Sequence, residues 1–145
     1  MKKTIACMLA LFVALQVSAG EGEWLTSLPE AQAKAKTENK MVLMDFTGSD
    51  WCPPCKSLHK NVLSSKDFLA FAQDHLILVE LDFPARKKQS DELKKANKAL
   101  SEKYKIRGYP TVIVLDKNGR KVFEQVGYGG DAKGYLAKLK KALKK

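Results

Sequence analysis

Three short, nearly continuous runs of hydrophobic residues recur along the chain, at 41–46, 76–81 and 111–115. Runs of this length that are rich in Val, Ile, Leu and Met are typical of strands buried on both faces of a sheet. Residues 116–119, Asp-Lys-Asn-Gly, form a turn signal, and 121–126 then mixes hydrophobic and polar positions. The pattern therefore predicts three buried strands and a fourth, edge-like strand that is joined to the third by a hairpin.

Segments with helical patterns lie between and after these strands. Residues 29–36 combine helix formers with a proline at the first position, and Asn39-Lys40 marks the end of the helix. Two further helices are indicated by hydrophobic residues spaced three and four positions apart. The apolar face of the first consists of Leu93, Ala96, Leu100 and Tyr104, and that of the last, which starts near Asp131, consists of Tyr135, Leu136, Leu139 and Leu143.

The alternation of these elements predicts an α/β fold. Parallel strands joined by helices and followed by an antiparallel edge strand pack as a compact sandwich of sheet and helices. A chain of 145 residues forms one such domain, with enough length to bury a core without disulfides.

Residues 1–19 are expected to lie outside that domain. Two lysines precede an apolar stretch at 5–17, and residues 17–19, Val-Ser-Ala, form a small-residue cleavage pattern. The apolar stretch is shorter than the roughly 20 residues that a membrane helix needs. We therefore expect a cleaved signal peptide, a mature domain at 20–145 and a periplasmic or secreted location without stable membrane insertion.

The charge of the chain is strongly basic. Cleavage of the signal removes Lys2 and Lys3 and no acid, so the formal net charge of +10 becomes +8. Cations cluster at the C-terminus and at 86–88. Lysines near the end of a helix interact favourably with its dipole, so most of this charge is expected to be solvated surface. Attraction to acidic partners or an anionic membrane is the more specific alternative, and the absence of a recognisable motif argues against nucleic acid.

Export leaves one cysteine pair, Cys52 and Cys55, separated by two prolines. A bridge across two residues closes too small a loop to be an effective structural staple. A pair that follows a buried strand and opens a helix is instead typical of a redox motif. An alternative is a thiol-based metal-binding or metallocentre-assembly protein, because His59 could share a helix face with both cysteines and soft thiolates suit copper. A closed structural zinc site would need a fourth ligand.

Three segments together resemble the thioredoxin superfamily: Met-Asp-Phe at 44–46, Trp-Cys-Pro-Pro-Cys-Lys at 51–56 and Gly-Tyr-Pro-Thr at 108–111. They are similar to its buried acid, its WCxxCK motif and its cis-proline loop, over about residues 24–143. The residues before the cysteines resemble exported bacterial thioredoxin-like proteins, and 106–111 resembles protein disulfide isomerase domains. The resemblance implies a thioredoxin fold, a three-layer sandwich with a mixed central sheet flanked by helices and an extra helix before the cis-proline loop.

The resemblance also implies an enzyme. This would be an exported thiol-disulfide oxidoreductase that reduces or isomerises protein disulfides through Cys52 and Cys55, with no cofactor and no metal. Its partners would be protein disulfides and an upstream thiol donor, and it is expected to be a monomer. The remaining site residues follow from the same resemblance: Asp45 and Lys56 as catalytic residues, and Trp51, Tyr109 and Pro110 as substrate contacts.

The residues between the cysteines indicate the direction of the reaction. Cys52 at a helix N-cap receives the positive end of the helix, but Pro53 and Pro54 remove two N–H donors and leave that of Cys55 as the nearest. We therefore expect a Cys52 pKa nearer the thioredoxin value of about 7 than the value of about 3.5 of a strong oxidase. A less stabilised thiolate favours a reductant.

Two departures from thioredoxin are visible. Asp45 lies seven residues before Cys52 rather than six, so residues 47–50 must form a longer or bulged loop. Glu80 stands about where thioredoxin carries a lysine. The first departure leaves open whether Asp45, which is expected to have a raised pKa in its apolar strand, still reaches Cys55 as its proton acceptor.

Overall fold

A computed structural model describes residues 22–144 of the chain. The expected signal peptide at 1–19 lies outside the described residues. In chain order the described elements are β1 (Trp24–Leu25), α1 (Leu28–Glu38), β2 (Met41–Thr47), α2 (Pro53–Leu58), α3 (Lys66–His75), β3 (Leu76–Asp82), α4 (Asp91–Lys103), β4 (Thr111–Leu115), β5 (Lys121–Val126) and α5 (Ala132–Leu143). The short strand β1 was not predicted from the sequence.

The five strands form one mixed sheet in the order β1-β3-β2-β4-β5. β1 and β2 run parallel to β3, whereas β4 runs antiparallel to β2 and β5 antiparallel to β4. The mixed sheet implied by the resemblance is confirmed, but the pattern-based expectation of parallel strands up to β4 is wrong. Asp82 at the end of β3 and Thr111 at the start of β4 both lie beside the end of β2. The segment 83–110 therefore starts and finishes at the same end of the sheet. Because the chain returns to the sheet at the end where β3 left it, β4 runs in the opposite direction to β2 and β3.

Alternating side chains of the sheet build two cores, one on each face. Leu43 and Val112 face α2, α3 and α5 and pack in a cluster with Phe68. Val42, Met44 and Phe46 face the opposite side and pack with residues of α1. The three layers of the thioredoxin fold are thus helices, sheet and helices.

α4 differs from the prediction in its buried face. Leu100 and Tyr104 pack against the core as expected, but Ala96 is exposed and its neighbour Asn97 is buried. The reason is a polar contact, because Asn97 Nδ2 donates to the main-chain oxygen of Asp82 at 3.0 Å. α4 is therefore attached to the end of β3 by a hydrogen bond that apolar periodicity does not reveal.

The helical region after the cysteines is interrupted. α2 continues into one π-helical turn, His59–Leu63, before α3 begins. Ser65 caps α3, since its Oγ accepts a hydrogen bond from the N–H of Phe68 at 3.2 Å. Across residues 22–144, no helix has the length and apolar character needed to cross a membrane.

Candidate active site

The turn between β2 and α2 carries the cysteine pair. Cys52 N–H donates to the carbonyl of Gly48 at 2.9 Å, and Cys52 is the N-cap of α2. Pro53 and Pro54 occupy the first two helical positions, where missing N–H groups break no helical hydrogen bond. The N–H of Cys55 points at the Cys52 Sγ at 3.3 Å. The expected position of the sulfur at a helix start, with one remaining local donor, is confirmed.

Cys52 and Cys55 are joined by a disulfide, with their Cα atoms 5.3 Å apart. The structure is therefore that of the oxidised form. The two residues are 3% and 2% exposed, so both are buried in the oxidised form. What separates them is their position, since Cys52 precedes the helix beside Trp51 whereas Cys55 lies in its first turn.

Asp45 lies on the face of β2 that packs against the cysteine-bearing helix, since Leu43, two positions earlier in the strand, packs in the same cluster as Leu58 of α2. It is 3% exposed, and its Oδ1 has no hydrogen-bond partner among the described residues. Burial, reinforced by the negative charges of Glu80 and Asp82, raises the pKa of Asp45 to about 8. The raised pKa expected from the sequence is confirmed, and the carboxyl group can hold a proton at neutral pH.

Glu80 is the in-register neighbour of Asp45 on β3. Its pKa is raised, mainly by burial and then by the charge of Asp82, while the charges of His59 and Lys87 oppose the shift. The position that carries a lysine in thioredoxin therefore adds a second acid to the buried one.

Tyr135 of α5 belongs to the same buried region. It is 3% exposed, and its hydroxyl oxygen has no hydrogen-bond partner in the described part of the chain. Burial and then the nearby charge of Asp45 raise its pKa far above the usual range. Sequence periodicity placed Tyr135 on the apolar face of α5 but contained no signal that its hydroxyl would lie close to the acid.

The longer loop 47–50 is hydrogen-bonded to the segment that follows β3. The Asp50 carboxylate accepts hydrogen bonds from the N–H groups of Ala85, Arg86 and Lys87 at 2.9, 2.7 and 3.0 Å. These bonds, that from Ala85 above all, lower the pKa of Asp50 to about 2. Asp50 therefore joins the longer loop 47–50 to residues 85–87 through three hydrogen bonds. Its only sequence signal was an Asp in a loop, a residue that often accepts main-chain hydrogen bonds.

A second set of contacts joins the same two loops. The N–H and hydroxyl of Ser49 both donate to the carboxylate of Asp82, at 2.9 and 2.6 Å. Phe83 N–H donates to the carbonyl of Thr47 at 2.8 Å. Both side-chain and main-chain hydrogen bonds thus connect the loop before the cysteines to the end of β3. None of the residues involved was predicted to belong to the site.

Aromatic side chains surround the reactive turn. Trp51 is 44% exposed, and its ring stands edge-on to that of Tyr109 with centroids 5.8 Å apart. Phe83 packs on the other side of Tyr109 at 5.3 Å, and its carbonyl accepts a hydrogen bond from Trp51 Nε1 at 2.8 Å. The peptide bond between Tyr109 and Pro110 is cis, as the resemblance implied. The expected contact residues Trp51 and Tyr109 do meet, and Phe83 packs with them, which the sequence did not reveal.

Lys56 and His59 lie on the outer side of the helical region. Lys56 Nζ donates to the main-chain oxygen of Asp50 at 3.2 Å and so contacts the loop rather than the buried acids. The His59 ring lies 6.2 Å from that of Trp24. With Cys52 and Cys55 joined, neither sulfur is free to ligate a metal, and residues 22–144 contain no group of three or more His, Cys, Asp or Glu side chains that could hold one.

Comparisons with known proteins agree with this geometry. The profile of a family described as thioredoxin-like domain matches residues 28–143. The chain is 34% identical over 128 residues to the disulfide bond reductase DsbH of Chlamydia pneumoniae, an alignment that covers 88% of this chain and 76% of that protein. It is 27% identical to a protein disulfide-isomerase of Hordeum vulgare, with 98% of this chain covered but only 28% of that protein.

A solved structure of a DsbH oxidoreductase is also similar. It superposes with a TM-score of 0.79 at 32% identity, and the match covers 94% of both chains. The strand order, the disulfide at the start of α2 and the cis-proline loop are thus accompanied by similarity over nearly the whole described domain. The chain belongs to the thioredoxin-like domain family of the thioredoxin superfamily and is a thiol-disulfide oxidoreductase.

Proposed function

We propose that this protein is an exported reductase of protein disulfides. The observation that carries the proposal is the environment of the Cys52 sulfur. It receives one local N–H bond, from Cys55 at 3.3 Å, while prolines occupy the two intervening positions. The carboxyl groups of Asp45 and Glu80 lie on the sheet face behind the helix. Few donors around the sulfur, with acids rather than cations behind the helix, disfavour a thiolate, and a less stable reduced form gives up its electrons more readily.

The reaction proceeds by two thiol-disulfide exchanges. In the reduced enzyme the Cys52 thiolate attacks one sulfur of a substrate disulfide, forms a mixed disulfide and releases the other substrate sulfur as a thiolate that takes a proton from solvent. Cys55 then loses its proton and attacks the Cys52 sulfur, which frees the second substrate thiol. Two electrons pass from the enzyme dithiol to the substrate, and the enzyme ends as the Cys52–Cys55 disulfide. An external dithiol donor must then reduce it.

Asp45 serves as acceptor of the Cys55 proton. Its raised pKa, about 8, is suited to exchange a proton near neutral pH, and its free Oδ1 is available for a water molecule or a thiol. Lys56 supplies positive charge on the outer side of the helix, where its ammonium group donates to the main-chain oxygen of Asp50 just before the cysteine pair.

Trp51, Tyr109 and the cis-Pro110 loop form the substrate contact surface. The edge-on contact of Trp51 with Tyr109 places an exposed aromatic surface beside Cys52, where a peptide around the attacked disulfide would lie. The two named relatives include a reductase and an isomerase, and isomerisation would begin with the same first exchange. The proline-restricted N-cap favours reduction. We further propose that residues 1–19 are removed on export to the periplasm or outside and that the mature protein acts as a monomer.

The reduction potential tests this assignment most directly. Equilibration of the mature protein with glutathione is expected to give a value near that of thioredoxin, about −270 mV. A value close to −120 mV would contradict the reductase assignment. Rates with a natively paired and a scrambled disulfide protein then separate reduction from isomerisation, since a reductase lowers the number of disulfides in both.

Cysteine variants test the order of the two steps. Cys55→Ser is expected to accumulate a mixed disulfide between Cys52 and substrate, because the resolving thiol is absent. Cys52→Ser is expected to be inactive. Insulin reduction that persists in Cys52→Ser, or a mixed disulfide that forms on Cys55 instead, would overturn the mechanism.

A further inference from the structure

Several cations beside the active site have no acidic partner. Arg86, Lys87 and Lys88 are exposed in the segment 84–88, which we call the basic loop. Ion pairs within 4.0 Å occur elsewhere in the described part of the chain, and none of them includes a residue of the basic loop or Lys56. These positive charges are therefore available to a partner.

Two acids that contact the segments around the basic loop are already occupied by the chain itself. The carboxylate of Asp50 accepts the N–H groups of residues 85–87, and that of Asp82 accepts two bonds from Ser49. Glu80 is half-buried on the sheet. The carboxylates of Asp50 and Asp82 are thus engaged in hydrogen bonds within the chain, whereas Arg86 and Lys88 are exposed.

The basic loop is held in a fixed position relative to the reactive sulfur. Asp50, which binds its main chain, lies two residues before Cys52, and Lys87 Nζ donates to Ser49 Oγ at 2.9 Å. A binding surface that is ordered before the partner arrives loses less conformational entropy on binding. The hydrogen bonds to Asp50 therefore hold the main chain of the basic loop in place beside the cysteine turn.

An aromatic surface connects the cysteine turn to the basic loop. The rings of Trp51, Tyr109 and Phe83 contact one another in that order, and Phe83 immediately precedes the basic loop. An extended peptide advances about 3.3 Å per residue. A substrate whose cysteine is attacked by Cys52 would therefore cross these rings and bring residues a few positions away to Arg86 and Lys88.

We propose that the basic loop selects protein disulfides whose cysteine is flanked by acidic residues. Apolar parts of the substrate segment lie across Trp51, Tyr109 and Phe83, and its carboxylates pair with Arg86 and Lys88. This inference rests on the proposed function, since it names the substrate class of the same site. Complementary charge of this kind accelerates encounter and discriminates between substrates, and it weakens as salt is added.

Two disulfide peptides of equal length test the proposal, one with glutamate and one with glutamine two to four residues from each cysteine. At low ionic strength the wild-type protein is expected to show a kcat/KM about tenfold higher for the glutamate peptide. In 0.5 M salt the ratio is expected to fall close to one, since screening lengths are then only a few ångströms, roughly 3–5 Å.

Matched double variants locate the effect. Arg86→Gln with Lys88→Gln is expected to abolish the preference for the glutamate peptide and leaves the Lys87–Ser49 contact in place. Lys141→Gln with Lys144→Gln removes the same amount of positive charge from the end of α5. This control is distant from the cysteine turn, because Lys144 lines a cleft with Met41 at the start of β2, whereas the cysteines follow the end of that strand. This control is expected to keep both the preference and the rate on the glutamine peptide.

Three outcomes would overturn the proposal. They are equal rates for the two peptides in the wild type, loss of the preference in the Lys141 and Lys144 control, and binding to anionic lipid vesicles without peptide preference. Failure of the proposed function is recognised separately, because the wild type would then reduce neither peptide.

Discussion

Asp45 and Glu80 face each other in register across the parallel pair β2 and β3, on the side of the sheet that carries the redox-active helix. Two acids therefore occupy a region in which a buried charge is costly. Neither has an ion-pair partner among the described residues. Burial, and then the repulsion from Glu80, favours the protonated form of Asp45, and this has consequences for both stability and redox chemistry.

The stability of the oxidised protein should fall as pH rises. Asp45 has a pKa of about 8 in the folded protein against an ordinary value of 3.8. Between these values the folded state binds a proton that the unfolded state has released, so the free energy of unfolding decreases with pH, by up to about 1.4 kcal/mol per pH unit. Urea unfolding at several pH values measures this slope.

Asp45→Asn is the matched control, because the amide is similar in size and does not titrate. The variant is expected to lose the decline between pH 5 and 8 and to exceed the wild type in stability above pH 8. Parallel stability curves for the two proteins would show that Asp45 is ionised throughout this range.

Glu80→Gln should lower the pKa of Asp45, because it removes the stronger of the two negative charges that raise it. Carboxyl carbon NMR of Asp45 in the oxidised protein measures the titration, and the pH dependence of Cys55 reactivity in the reduced protein should move in the same direction. Glu38→Gln removes an equal charge at the end of α1, before β2 begins, and should leave Asp45 unchanged. A titration that is identical in Glu80→Gln and wild type would contradict the coupling.

Residue pattern predicted four of the five strands, the cysteine turn and the outline of the fold, since these depend on hydrophobic periodicity and on local helix-start geometry. It did not predict what depends on contacts between distant residues. The burial of Asn97 follows from a hydrogen bond to Asp82, fifteen residues earlier in the chain. Likewise, Asp50 finds its donors thirty-five and more residues away, so no spacing rule could have placed it in the site. The direction of β4 was set by where residues 83–110 re-enter the sheet.

Asp50→Ala should release the basic loop. The carboxylate is the acceptor for three consecutive N–H groups, so amide hydrogen exchange at residues 85–87 is expected to accelerate at least severalfold. Because the pKa of Asp50 is lowered to about 2 from 3.8, the stabilising effect is present above about pH 4 and is lost as pH falls towards 2. Asp74→Ala on the exposed surface of α3 is the control and should leave these amides protected. Unchanged exchange in Asp50→Ala would mean that other contacts hold the loop.

Asn97→Ala should destabilise the domain by about 1–3 kcal/mol, because it removes a buried side chain whose Nδ2 donates to Asp82. The exposed neighbour Lys98 provides the comparison, and Lys98→Ala is expected to change stability by no more than about 0.5 kcal/mol. Urea unfolding of both variants measures the difference. If both changes were equally mild, the contact between α4 and β3 would contribute little to stability.

Pro54→Ala should make the enzyme a weaker reductant. An N-cap side chain can accept hydrogen bonds from the second and third helical N–H groups. Here the third belongs to Cys55 and reaches the Cys52 sulfur at 3.3 Å, whereas the second is missing because Pro54 occupies that position. Restoring it should stabilise the thiolate, shift titration of the Cys52 thiol to lower pH and raise the reduction potential by about 10–30 mV.

Pro53→Ala is the matched control, since it restores the first helical N–H, which lies outside the reach of the cap. Its reduction potential is expected to stay within a few millivolts of the wild type, on the order of 5 mV. Glutathione equilibration measures both potentials, and thiolate absorbance in the ultraviolet follows the titration. A lower potential in Pro54→Ala, or an equal rise in Pro53→Ala, would show that the prolines act through something other than the missing donor to Cys52.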